Sequence, residues 1–287
     1  MLEFTPISAD NFQPVLPLIQ QEKQNECGFS TAPLYGPYSE GRFAIFNNIC
    51  VFLYTEEGET HCNLLGKPEK QTYKQITDEL LKTYPHIQFH YFSEEKAKIL
   101  AELYPSVTVV DETDLYDYVY RIDDFLRLEG KDNQKKRSQY NQFMNGNTVH
   151  FEPITQENLK DCKIVTLNWC SRKDCLDCKY TCEQKIIFDL LDNWDKYPCK
   201  GGILYTDDEP VAFLICEVVG DTVFGYHQKT CSAEKGLGYA VYLTTLSEVF
   251  SDYTYFNFGP DLGLPGLRQF KRSFKPYMLE PKFTVKF

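Results

Sequence analysis

Thr222-Val-Phe-Gly-Tyr-His-Gln-Lys-Thr230 runs directly into Cys231-Ser-Ala-Glu-Lys-Gly-Leu-Gly238 and then into Tyr239-Ala-Val-Tyr-Leu-Thr-Thr-Leu-Ser-Glu-Val-Phe250. The first run is rich in β-branched and aromatic residues and predicts a strand over Thr222 to Lys229. The second carries Gly236 and Gly238 and predicts a turn. The third sets Tyr239, Tyr242, Leu243, Leu246 and Phe250 on the apolar side of a helix ending at Phe250. Ahead of this run, Gly202 to Thr206 and Pro210 to Val219 read as a hairpin across Asp207-Asp208-Glu209, and behind it Thr254 to Phe258 reads as a further strand. The order is therefore hairpin, strand, glycine turn, helix, strand. A glycine turn at a helix start offers unpaired backbone N–H groups and the positive end of the helix dipole, which suits a phosphate or pyrophosphate.

Moving toward the N-terminus, Val149 to Glu152 reads as a strand, with helices over Glu157 to Trp169 and Gln184 to Trp194. Residues 121 to 147 break this pattern with a short helix at Asp123-Asp124-Phe-Leu-Arg-Leu, a stop at Gly130 and a polar, basic helix over Asp132 to Met144, which together read as a connector. The first 120 residues repeat the order in outline. Gly41 to Asn47 and Ile49 to Tyr54 form a hairpin around Asn47-Asn48, and Thr60 to Leu65 adds a strand. Glu69 to Thr83 is a helix with Tyr73, Ile76, Leu80 and Leu81 on one face. A strand over Ile87 to Phe92 leads to a helix capped by Ser93, and strands at Val107 to Val110 and Leu115 to Tyr120 close the unit. The expected organisation is an acidic N-terminal domain (1–120), a basic connector (121–147) and a C-terminal domain (148–287).

The charge follows that division. The chain of 287 residues has a net charge of −11, and residues 1–120 hold 8 Lys/Arg against 18 Asp/Glu, whereas residues 121–287 hold 22 against 23. A protein that coats DNA or other nucleic acid non-specifically is excluded by this balance. Local basic stretches remain at Lys131 to Arg137 and after Asp261, where six Lys/Arg face Glu280 alone, so an anionic ligand finds its field there. The longest clean apolar run is Val211 to Cys216, far short of the roughly 20 residues of a membrane span. Met1 to Asp10 lacks the basic start and apolar core of a secretory signal, and a cytoplasmic address is expected.

The order of elements in the second half resembles the acyl-CoA-dependent N-acetyltransferase (GNAT) fold, whose loop signature is Gln/Arg-x-x-Gly-x-Gly/Ala. Gly236 and Gly238 match its last two marked positions, while Ala233 stands where Gln or Arg belongs. A second resemblance covers residues 113 to 280. Asn257-Phe-Gly-Pro-Asp261-Leu-Gly263-Leu-Pro-Gly266-Leu-Arg268-Gln-Phe-Lys271-Arg-Ser273-Phe-Lys-Pro276 is similar to the signature of the phosphatidylglycerol lysyltransferase C-terminal domain family. Gly130-Lys131 with Lys136-Arg137 and Asn141 resembles that family's basic connector helix, Glu183 falls at its helix glutamate, and Tyr226-His227-Gln228-Lys229 resembles its Ile-His-x-Glu-Lys stretch. Two departures stand out: Gln228 lacks the carboxylate, and Phe258-Gly259-Pro260 replaces an Arg-Glu-Glu run.

The resemblance implies an α/β (α+β) chain of two tandem GNAT-like domains, each with a mixed, mostly antiparallel sheet flanked by helices, related to the peptidoglycan aminoacyltransferases. It implies transfer of an aminoacyl group from aminoacyl-tRNA, or an acyl group from acyl-CoA, to an amine or hydroxyl of a small molecule, peptide or lipid headgroup. Such transfer needs a bound electrophile, a deprotonated acceptor and a donor or cation for the oxyanion, with no covalent enzyme intermediate and no required cofactor. If Gly266 to Phe274 is helical, Leu267 and Lys271 lie one turn apart beside a row of Arg268 and Arg272, so two rows with cationic members can line one cleft. The expected catalytic residues are Lys271 for the oxyanion or a donor phosphate, Asp261 for the acceptor amine, and His227 as a base. Arg268, Lys229, Glu183, Asn257, Gly236, Gly238, Lys131 and Arg137 are expected to bind substrate or donor. The competing pattern for the tail is an amphipathic helix whose Lys/Arg face solvent and whose Leu267, Phe270 and Phe274 fill the core.

Two other classes stay open. A catalytically degenerate binding or regulatory module fits the departures at Gln228 and at residues 258–260. Eleven cysteines without an export signal predict reduced thiols, and Cys170, Cys175, Cys178 and Cys182 follow C-x4-C-x2-C-x3-C, which could hold zinc or an iron–sulfur cluster.

Overall fold

The computed structural model describes residues 2–21, 41–56, 58–172 and 183–287. The chain divides into two compact units, Met1–Asp117 with Pro260–Leu264 and Leu279–Phe287, and Tyr118–Gly259 with Pro265–Met278.

The strands of the first unit are β1 (Thr5–Pro6), β2 (Arg42–Phe46), β3 (Ile49–Glu56), β4 (Glu59–Leu65), β5 (Gln88–Phe92) and β6 (Thr108–Asp111), joined by the last strand of the chain, β14 (Phe283–Lys286). They form one sheet in the order β1-β2-β3-β4-β5-β14-β6. Asn47 and Asn48, at φ 47° and 60°, turn β2 into β3, as the pair of asparagines leads one to expect. After the short helix α1 (Leu16–Ile19), the helices of this unit are α2 (Lys70–Thr83) and α3 (Glu94–Leu103). Tyr73, Ile76 and Leu80 of α2 are buried against Val51, Leu64, Phe89 and Val285 in one core. The Glu69 carboxylate accepts the Gln71 and Thr72 N–H groups at 3.0 and 2.6 Å and caps α2, and Ser93 accepts from Lys96 N–H to cap α3.

The second sheet holds β7 (Asp117–Arg121), β8 (Val149–Pro153), β9 (Cys199–Thr206), β10 (Glu209–Val219), β11 (Thr222–Thr230), β12 (Tyr255–Asn257) and β13 (Met278–Glu280), in the order β13-β7-β12-β11-β10-β9-β8, and all of it but Asp117, Leu279 and Glu280 belongs to the second unit. Its helices are α4 (Ile122–Arg127), α5 (Gln134–Gly146), α6 (Leu159–Ser171), α7 (Glu183–Asp192), α8 (Leu237–Val249) and α9 (Pro265–Arg272). Helix α8 crosses between two parallel strands and buries Leu237, Ala240, Val241, Leu243, Thr245 and Leu246, a wider apolar surface than the expected stripe.

Three expectations change. The strand before Tyr120 does not close the first unit: β7 pairs antiparallel with β12, Phe256 opposite Tyr120. Residues 121–147 are no connector, because Phe125, Leu128 and Phe143 are buried in the core of the second unit beside Leu237, Ala240 and Phe256. The C-terminal segment also leaves the second domain to place β14 between β5 and β6. All three result from contacts between residues far apart in sequence, which local periodicity does not encode.

Candidate functional site

Each sheet contains a parallel pair spanned by a helix, and in each the pairing stops early. In the second unit β11 and β12 pair only as Thr222 with Tyr255, Val223 with Phe256 and Phe224 with Asn257. Strand β11 then runs on to Thr230, with its register against β10 shifting between Ile215 and Cys216, while β12 ends. Diverging carboxyl ends of parallel strands are where open α/β sheets take their ligands.

At the mouth of this opening the chain turns into α8. Gly236 sits at φ +97° with α5 packed against it: a Cβ there would lie 2.1 Å from Gln139 O and 2.8 Å from Phe143 Cβ. Nothing stands within 4 Å of a Cβ at Gly238. Gly236 is the N-cap of α8 and supplies no side chain to its first turn. The equivalent helix of the first unit, α2, has two of its N-terminal donors, the Gln71 and Thr72 N–H groups, occupied by the Glu69 carboxylate. The two units thus share a topology and differ in whether the crossover helix has capped itself.

The side of β11 facing α6 and α7 gathers three of the expected residues. Lys229 Nζ donates to Glu183 Oε1 at 2.5 Å and to Gln228 O at 3.2 Å, and His227 Nδ1 lies 3.5 Å from the same Glu183 oxygen. Strand periodicity explains the placement of His227 and Lys229, two residues apart on one face, and Glu183 reaches them from the first turn of α7. Trp169 on α6 closes the group, its ring centroid 4.5 Å from Lys229 Nζ. Burial of Glu183 pushes its carboxyl up, but the His227 hydrogen bond and the Lys229 charge prevail and hold it at about 2. Burial lowers the His227 pKa below the usual imidazole value, against the pull of Glu183, and the Lys229 charge adds to the lowering. The result is an ionised carboxylate beside a neutral imidazole whose Nδ1–H can point at it, leaving Nε2 as an acceptor. Trp169 carried no signal of its own in the sequence, standing at the edge of the cysteine run.

The other expected residues are placed differently. Lys271 is 4% exposed, and its ammonium donates to Phe258 O at 2.5 Å and Gly259 O at 3.0 Å, so α9 turns this residue inward while Arg268 is half-buried and Arg272 exposed. Asn257 is buried, its Oδ1 accepting from Gly259 N–H at 2.7 Å. Asp261 belongs to the first unit, where its Oδ1 accepts the Gly263 N–H at 3.0 Å. Arg137 donates to Leu128 O and Gly130 O, satisfying carbonyls at the end of α4, where Leu128 is left-handed. Lys136 is buried on Asn133 Oδ1 and Ser273 O, and Lys131 is exposed. The basic run therefore offers Lys131 and Lys135 to solvent and puts its other two cations to work on backbone and side-chain oxygens. Cys170 ends α6, half-buried; Cys175, Cys178 and Cys182 lie outside the described residues, among which no cluster of three metal-ligating side chains occurs. No helix of the described residues is long and apolar enough to cross a membrane.

Comparison with solved structures supports the fold. A conserved protein of unknown function from Bacteroides thetaiotaomicron superposes with a TM-score of 0.89 at 21% identity, covering 100% of both chains. L-PGS from Bacillus licheniformis gives 0.65 at 17% identity, over 86% of this chain and 84% of that one. A tandem GNAT protein from the clavulanic acid biosynthesis pathway gives 0.51 at 9% identity, over 100% and 98%. The chain is accordingly built of two tandem GNAT-like domains with mixed, mostly antiparallel sheets. A search of curated proteins returns no match. The model of the family described as phosphatidylglycerol lysyltransferase, C-terminal, matches residues 22–286. With nearly its whole length matched, the chain belongs to the phosphatidylglycerol lysyltransferase C-terminal domain family.

Proposed function

We propose that the protein is an aminoacyltransferase that takes an aminoacyl group from aminoacyl-tRNA and passes it to an amine or hydroxyl of a small molecule, peptide or lipid headgroup, with the reacting groups in the second unit. The observation that carries this reading is the Glu183–His227–Lys229 group on the strand whose partner diverges, in a chain of this family. Glu183 accepts the His227 Nδ1–H and fixes the tautomer, and Nε2 takes the proton of the acceptor as its N or O attacks the ester carbonyl. A tetrahedral adduct forms and collapses, the ester C–O bond breaks, and the ribose oxygen leaves with a proton returned by the imidazolium. Lys229 keeps Glu183 ionised, so the carboxylate stabilises the imidazolium without taking its proton. The exposed Lys131 would meet donor phosphates, as would the guanidinium of Arg268 on α9. No cofactor is needed, and a tRNA donor implies a cytoplasmic site of action.

A second reading, acyl-CoA as donor, is favoured by the uncapped start of α8 and the open space at Gly238. One experiment separates the two. The purified chain is incubated with tRNA charged with a radiolabelled amino-acid mixture, or with labelled acetyl-CoA, and acceptor pools of amines, peptides and phosphatidylglycerol vesicles. Label moved from tRNA, and reduced about 10²–10⁴-fold in His227→Gln at unchanged Tm, supports the proposal. Label moved from acetyl-CoA alone overturns the donor, and transfer unaffected by His227→Gln overturns the base.

A further inference from the structure

The opening between β11 and β12 is built by specific side chains. Along β12 alternate residues face opposite neighbours: Phe256 pairs with Tyr120 of β7, whereas Tyr255 N–H donates across to Asp221 O beside β11 at 3.1 Å. Residues 255 and 257 thus present their backbone groups on the β11 side, and only the N–H of Gly259 could extend the parallel ladder, its carbonyl having turned to Tyr118 of β7. The Gly259 N–H is taken by Asn257 Oδ1 at 2.7 Å, a turn closed within the strand's own sequence. Its carbonyl accepts from Lys271 Nζ at 3.0 Å and from Tyr118 N–H at 3.2 Å. The same ammonium takes Phe258 O at 2.5 Å and sits 4.9 Å from the Phe258 ring centroid, while Phe258 N–H goes to Tyr118 O at 2.9 Å. Gly259 adopts φ +67°, which bends the chain away. Lys271 is itself fixed in place, its backbone carbonyl accepting the Tyr120 hydroxyl at 2.8 Å.

We propose that Asn257 and Lys271 are positioning residues that satisfy the backbone groups of Phe258 and Gly259, stop β12 from continuing along β11 and so hold the opening apart. Lys271 then acts through this turn and not upon a substrate. A buried ammonium needs oxygen partners to offset its desolvation, and the two carbonyls supply them without any ligand. That the opening receives the acyl donor rests on the function proposed above; the construction of the turn does not.

Hydrogen exchange of the full chain, read by mass spectrometry at residue level, tests the assignment without a donor. In Lys271→Met and Asn257→Leu the amides of Tyr118, Phe258 and Gly259 should exchange faster by about tenfold or more, with the β9–β10 amides unchanged. Asn257→Asp keeps an acceptor for Gly259 N–H and should restore wild-type exchange. Unchanged exchange at the three amides in Lys271→Met, the result expected if the ammonium instead meets a donor, overturns the role of Lys271. If Lys271→Met does not fold, the Asn257 pair decides: equal exchange in Asn257→Leu and Asn257→Asp overturns the proposal. Failure of the transfer assay with the exchange result intact would remove the proposed reaction and leave the turn.

Discussion

Gly236 and Gly238 carry the same letter of one loop signature, yet the structure sets them in opposite circumstances. At Gly236 a side chain meets two obstacles, a φ of +97° and the Gln139 carbonyl 2.1 Å from where a Cβ would stand. The carbonyl is backbone within α5 and cannot swing aside, so Gly236→Ala must shift a helix or the start of another. Gly238 lies in the first turn of α8 with nothing within 4 Å of a Cβ. Alanine there lowers the entropy of the unfolded chain and favours helix by about 0.5–1 kcal/mol. Thermal unfolding should show Gly236→Ala several degrees below the parent and Gly238→Ala level with it or slightly above. If Gly236→Ala is the neutral one, the close approach of α5 to α8 is wrong. Both glycines were legible as a turn, but only the packing of α5 separates a steric requirement from an open position.

At the scale of elements, the first unit's parallel pair carries a chain of aromatic side chains. Tyr54 OH lies 3.2 Å from His90 Nδ1, and His90 Nε2 lies 3.1 Å from His61 Nδ1, with the imidazole centroids 4.2 Å apart. His90 also approaches Gln88 Oε1 at 3.4 Å, and Lys286 of β14 adds a positive charge nearby. Burial, then the His61 and Lys286 charges, push the His90 pKa down from 6.5 to about 3. The sign follows from linkage. Between pH 6.5 and 3 the unfolded chain binds a proton at His90 that the folded chain refuses, so this stability is whole above pH 6.5 and is lost as pH falls toward 3. The loss is on the order of 5 kcal/mol across that window. Urea unfolding from pH 7 to 4 should show a slope that His90→Gln flattens; an unchanged slope would show that His90 is not the group responsible. The strands and helices around this cluster were readable from the sequence, because Asn47-Asn48, the Tyr73, Ile76 and Leu80 stripe and the Ser93 cap are local signals. The pairing of His61 with His90 was not, since parallel strands meet through a helix whose length hides their register. Lys271 shows the same limit: helical spacing set it either in a cationic row lining a cleft or among the solvent-facing Lys/Arg of an amphipathic tail, and burial at 4% puts it on the inner side instead.

Over the whole molecule, chain order and spatial order part at the C-terminus. A sequence divided into domains over 1–120 and 148–287 assigns the C-terminus to the second, but β14 lies between β5 and β6 in the first unit's sheet, antiparallel to both. Val285 is fully buried, and Phe287 packs on Phe89 and Tyr104 with ring centroids 5.6 and 5.0 Å apart. Removing residues 283–287 takes away a central strand, both of its ladders and three large apolar side chains. A fully buried side chain such as Val285 contributes about 1.5–3 kcal/mol, and the half-buried Phe283 and Phe287 each add part of that. A domain holds only about 5–15 kcal/mol in total, so the truncation should exceed the margin of the first unit. The bare inner edges of β5 and β6 would also be open to pairing with other chains. The expected result is a protein whose amides in β5 and β6 exchange at unfolded-chain rates and which aggregates on warming, while β9 to β11 keep their protection. Retention of protection in β5 and β6 after truncation would mean that the first unit closes without β14, and the C-terminal strand would then be an addition to its sheet instead of its middle.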